Sequence, residues 1–144
     1  MHIQFKGIAA VTAVVLVLAG CDGKSAANAK SATPKTGPIV KEEADGLKRI
    51  TLRDIETKRL GIEFEQVTKT GERLTIPYKA LLYDPTGREW AFTSPEANVY
   101  IRAALKVETI VGDKVYLAQG PAIGTRLVTA GAAELYGIEF GIGR

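Results

Sequence analysis

The sequence predicts a mainly β fold: a small antiparallel β-barrel or β-roll with one short helix near its start, preceded by a signal peptide and a disordered tether. Three observations predict it. After Gly61, apolar residues recur at every second position in several runs, the period of a half-buried strand. Turn signals built on Gly, Pro, Asp and Asn separate these runs at short intervals. The first 46 residues read as an apolar leader followed by a polar stretch without aromatic residues.

Residues 1–20 have the features of a signal peptide. Met1 to Lys6 is a short polar start with one positive charge, and Ile8 to Leu18 is apolar apart from Thr12. A transmembrane helix needs about 20 apolar residues, and this run is too short for that. It has the length of the apolar region of a secretory signal. Leu18-Ala19-Gly20-Cys21 then resembles the lipobox of bacterial lipoproteins, in which small residues precede a cysteine whose thiolate takes up diacylglycerol. Cys21 is therefore the expected lipidation site and the expected N-terminus after cleavage. The alternative is a non-lipidated signal with a chance cysteine. Two or three acyl chains, at about 0.8 kcal/mol per buried methylene, would anchor the protein stably. Asp22 resembles the sorting residue of lipoproteins in diderm bacteria, which implies retention at the periplasmic face of the inner membrane.

Residues 21–46 are expected to be a lipidated flexible tether. From Asp22 to Asp45 the chain is rich in Ala, Ser, Thr, Lys, Gly and Pro, so it has little apolar surface to offset the entropy of ordering. Residues 47–144 are the expected folded domain. Thr51 to Leu60 predicts a short helix, with Leu52, Ile55 and Leu60 near one face, a capping pair Thr51–Asp54, and Gly61 as its stop. Strands follow at Ile62–Phe64, at Leu74, Ile76 and Tyr78, at Trp90–Phe92, and along the longest alternating set, Val99 to Val107. Pro77 cannot donate to a ladder, so its strand is expected at an edge or broken there. Asp84-Pro85-Thr86-Gly87 fits a type I turn. Further turns are read at Ser94–Asn98, Val111–Lys114 and Gly120–Gly124. Near the end, Ala132 to Tyr136 predicts one helical turn stopped by Gly137, after which Ile138, Phe140 and Ile142 alternate as a returning strand.

Composition removes most chemistry. The chain has one histidine, His2, and one cysteine, Cys21, and its formal net charge is +3. With His2 cleaved away and Cys21 acylated, no Ser-His-Asp triad, Cys-His nucleophile or His/Cys metal site can be built. The single methionine is Met1. Glu63 and Glu65 would lie on one face of a strand about 7 Å apart, and read as the solvent face opposite Ile62 and Phe64. No P-loop, dinucleotide-binding glycine motif or EF-hand is present. No cofactor, metal, catalytic residue or nucleic-acid partner is expected, since Lys and Arg do not cluster with aromatics. Tyr78, Tyr83 and Trp90 are the candidates for a partner surface, with core packing as the alternative for each.

The run Ile76-Pro77-Tyr78-Lys79-Ala80-Leu81-Leu82-Tyr83-Asp84-Pro85-Thr86-Gly87, followed by Glu89-Trp90-Ala91-Phe92, resembles the C-terminal, membrane-proximal part of periplasmic adaptor subunits. These are the membrane-fusion proteins of tripartite efflux systems. Gly120 to Phe140 is similar to the family's closing segment, and Ile50 to Ile62 to its lead-in to the barrel region. Only Thr68 to Arg73 stands where a full adaptor inserts a lipoyl-like lobe and a long helical hairpin. The resemblance implies a lipid-anchored, non-enzymatic accessory in the periplasm that associates with an efflux or secretion transporter. Its implied partners are an inner-membrane transporter, a full-length periplasmic adaptor, or both, with the membrane held through the anchor. The alternative is a stand-alone envelope lipoprotein that binds a small apolar ligand or a polymer in a barrel mouth. That reading expects an apolar cavity of at least about 300 Å³.

Overall fold

Asp45-Gly46 is a hairpin signal lying between β-branched residues on either side. In the computed structural model, which describes residues 37–142, it joins β1 (Ile39–Glu42) to β2 (Lys48–Thr51). Val40 pairs with Ile50, and the Asp45 carboxylate accepts the Leu47 amide at 3.0 Å. Strand β1 falls inside the stretch expected to be tether, so ordered structure starts before Leu47. The expected signal peptide, Cys21, Asp22 and the tether as far as residue 36 lie outside the described residues.

Helix α1 (Asp54–Arg59) is shorter than the predicted Thr51–Leu60 because Thr51 stays in β2. Thr51 therefore cannot cap it. Instead, the Glu56 carboxylate accepts the Arg53 amide at 2.8 Å. No residue of α1 is buried, and Ile55 lies exposed. The helix is held from outside: Thr57 Oγ1 donates to Asn98 Oδ1 at 2.8 Å, and Asn98 Nδ2 donates to Asp54.

The chain continues through β3 (Glu63–Gln66), β4 (Thr68–Thr70), β5 (Arg73–Pro77), a 3-10 turn (Tyr78–Ala80), β6 (Leu82–Tyr83) and β7 (Glu89–Glu96). It ends with β8 (Val99–Ala104), β9 (Lys106–Val111), β10 (Lys114–Gln119), β11 (Arg126–Ala130) and helix α2 (Ala132–Phe140). The fold is mainly β, with two helices and two antiparallel sheets. The larger sheet runs β1-β2-β8-β7-β11-β3 with β6 beside β7, and the smaller runs β4-β5-β10-β9. Neither order closes on itself, so the described strands form open sheets and not a closed barrel.

Two cores explain several departures from simple alternation. In β7, Ala91 and Phe92 are both buried, and in β11 so are Leu127 and Val128, because each strand is covered on both faces. Ala91 and Leu127 join Ile76, Val115 and Leu117 between the sheets. Phe92 and Val128 join Ile50, Tyr100 and Leu135 beneath α2. The expected strand from Val99 to Val107 divides at Leu105, which is buried in the core between the sheets and whose amide donates to the Glu89 carbonyl at 2.9 Å. There the chain crosses from the larger sheet to the smaller. Strand β5 has neighbours on both sides, so Pro77 does not mark an edge. It marks the break, and Tyr78 belongs to the 3-10 turn and not to a strand.

At the C-terminus, α2 runs through Gly137 to Phe140 and ends at Gly141, which adopts φ +68°. The predicted stop at Gly137 and the returning strand are replaced by helix. A mid-helix glycine costs about 1 kcal/mol. Burial of Ala132 and Leu135, three apart on one face, offsets that cost.

Candidate functional site

Pro77, with φ −67°, ends β5 and starts the 3-10 turn that carries Tyr78. Ala80 and Leu81 are buried between the sheets, which fixes the segment to the core. Tyr78 and Tyr83, on either side of these two residues, remain 50% and 53% exposed. Both tyrosines are therefore surface residues on a pinned backbone. Trp90 lies opposite Leu82 in the β6–β7 pair and is half-buried.

The turn after Tyr83 is organised by Asp84, which had read only as a turn former. Its Oδ1 accepts the Thr86 hydroxyl at 2.6 Å, the Thr86 amide at 2.9 Å and the Arg88 amide at 3.0 Å. Its Oδ2 accepts Arg88 Nε at 2.7 Å and Trp90 Nε1 at 3.2 Å. The Thr86 hydroxyl, then the Arg88 amide, the Arg88 guanidinium and the Trp90 indole, hold this carboxyl far below the usual carboxylate range, against the opposing effect of burial. The carboxylate is committed to this turn and to orienting Trp90. Gly87 donates to the Asp84 carbonyl at 2.9 Å, closing the predicted turn.

Trp90 is enclosed by cations. The Arg102 guanidinium lies 4.5 Å from its ring centre and that of Arg88 5.4 Å. Arg102 also lies 5.1 Å from the Phe140 ring and makes a 2.6 Å contact through Nε with Glu139 Oε2. The side chains of this pair are only 9% and 1% exposed. The contact lacks hydrogen-bond geometry, so Arg102 Nε and Nη1 and Glu139 Oε2 have no hydrogen-bond partner among the described residues. Burial pushes the Glu139 carboxyl up, opposed by the charges of Arg102 and Lys48. Lys48 Nζ donates to the Glu139 carbonyl at 3.0 Å, a favourable place for a cation near a helix C-terminus. Sequence alone places Arg102 among the polar residues interleaved in the Val99–Val107 strand, and Glu139 in the returning strand.

A cleft of about 360 Å³ opens beside this cluster, lined by Gly87, Arg88, Glu89, Trp90, Ala104 and Leu105. Within it, Glu89 Oε2 accepts the Val107 amide at 2.7 Å. A smaller hollow of about 120 Å³ lies against Glu65, Thr68, Pro77 and Lys114. Glu63 and Glu65 are exposed on β3, beside the half-buried Phe64. Among the described residues, no group of three or more His, Cys, Asp or Glu side chains could hold a metal ion. No described helix is long and apolar enough to cross a membrane.

Fold and site together define a mainly β domain with a rigid tyrosine-bearing turn and an arginine-flanked tryptophan. No family model, curated protein or solved structure matches the chain.

Proposed function

We propose that this protein is a lipid-anchored, non-catalytic periplasmic module that docks on an inner-membrane transporter, on a full-length adaptor, or on both. Acylated Cys21 sets its height, the following residues set its reach, and a β surface makes the contact. The observation that carries this reading is the pair Tyr78 and Tyr83, half exposed on a segment pinned by Ala80 and Leu81. Aromatic side chains on a rigid backbone offer large contact area at low entropic cost, which suits a docking surface. They also lie in the run that resembles the adaptor family. The ligand-binding alternative calls for an apolar cavity of at least about 300 Å³; the cleft of about 360 Å³ beside Trp90 has that volume, but its lining includes Arg88 and Glu89.

Co-purification from detergent-solubilised membranes tests the proposal. The protein is expected to retain a transporter or adaptor, and the double variant Tyr78→Ala/Tyr83→Ala to lose at least tenfold of it. Equal retention by the variant, or recovery of neither partner, would contradict the assignment.

A further inference from the structure

The exposed aliphatic residues of the smaller sheet gather at one tip. Val111 is 60% exposed and Ile110 40%, at the end of β9 where it turns through Gly112 and Asp113 into β10. Tyr78 stands beside them: Pro77 pairs with Lys114, Lys114 with Val111, and the Tyr78 amide donates to the Asp113 carbonyl at 2.7 Å. Lys79 and Lys114 are exposed at the same end, with Asp113 on the turn and Glu65 across the hollow that Lys114 lines. The tip is thus a narrow turn with two aliphatic side chains and two flexible cations at its end of the sheet.

We propose that this tip enters the headgroup region of an anionic bilayer. The inference rests on the anchor at Cys21 in the proposed function. Aliphatic side chains reach the acyl boundary, and lysines extend their ammonium groups to phosphates. The ladder between β9 and β10 and the Tyr78–Asp113 bond already satisfy backbone groups at the tip, so entry strands few of them. A stable protein interface buries about 800 Å² on each partner, more than Ile110 and Val111 supply. Chain length brings the bilayer within range. Fifteen residues lie between Cys21 and Gly37, and that stretch can span at most about 58 Å. Tethering at that distance turns a weak contact into an intramolecular one.

The experiment uses the full lipidated protein, in which acylation consumes the only native cysteine. A Val111→Cys variant carries an environment-sensitive fluorophore, with Lys58→Cys on the exposed face of α1 as the reference. Both are placed in vesicles of phosphatidylethanolamine and phosphatidylglycerol containing brominated acyl chains. The label at 111 is expected to shift to shorter wavelength and to be quenched at least threefold more than the label at 58. Lys79→Glu/Lys114→Glu, or replacement of phosphatidylglycerol by phosphatidylcholine, is expected to weaken that quenching. Co-flotation with equal quenching at both positions overturns the tip contact and leaves the anchor standing. Failure to co-float overturns the anchor and this inference with it. Crosslinking of position 111 to a membrane protein without lipid quenching overturns it in favour of a protein partner.

Discussion

Replacing Arg102 by Met leaves the Glu139 carboxylate, 1% exposed, without its counter-ion. Removing one member of a buried pair costs about 3–5 kcal/mol. Lys48 acts on the same carboxylate and its ammonium bonds the Glu139 carbonyl, so the lower end, about 3 kcal/mol, is expected. For a domain of this size that lowers the melting temperature by about 12 °C or more. Removing both charges in Arg102→Met/Glu139→Leu is expected to recover most of the loss, because the desolvation of two ions disappears with their attraction. Urea denaturation at neutral pH measures each variant. A single variant that loses less than about 1 kcal/mol, or a double variant no more stable than the single, would refute the reasoning. The pH dependence has a definite sign. Because burial raises the Glu139 pKa in the folded state, its contribution is fully present below the ordinary glutamate pKa and is lost as pH rises through the raised value. Glu139→Gln is expected to flatten stability across that window.

Other outcomes follow from the same geometry. Asp84→Asn is expected to remove an acid-sensitive element: the lowered pKa means Asp84 stabilises the fold above the ordinary aspartate pKa, and that contribution fades as pH falls toward the native value. Acid unfolding monitored by Trp90 fluorescence, wild type against variant, measures the difference. Gly131→Ala places a Cβ against Ile62 and the Leu60 carbonyl at φ +80°, whereas Gly124→Ala at φ +83° meets open space. The first is expected to cost more than the roughly 1–2 kcal/mol of left-handed backbone strain, and the second only that, in a urea titration. Tyr83→Ala is expected to destabilise by no more than about 1 kcal/mol, since about half of its surface, 53%, is already in solvent. Cys21→Ala is expected to abolish incorporation of radiolabelled palmitate.

What the sequence reveals depends on how locally each feature is encoded. Strands at Trp90–Phe92 and Leu74–Ile76, and the Asp84–Gly87 turn, are visible because alternation and turn residues are local. The division at Leu105 is hidden, since a strand that changes sheets keeps its period. The first turn of α2 is legible at Ala132–Tyr136, but its second half is hidden because Gly137 looks like a stop, and only Arg102, far away on β8, makes sense of Glu139 inside a helix. Strand β1 is hidden by the lysines and acids around Ile39 and Val40, though Asp45-Gly46 marks its hairpin. At the candidate site, Tyr78, Tyr83 and Trp90 stand out by residue type. The five hydrogen bonds to Asp84 do not, although the Asp-x-Thr spacing is that of an Asx turn.

Site-specific photo-crosslinking in cells, from Tyr83 and from Lys58 as a reference, tests the docking claim most directly. The account predicts transporter or adaptor peptides from position 83 and not from position 58. Recovery of neither from position 83, under conditions that capture known membrane neighbours, would contradict it.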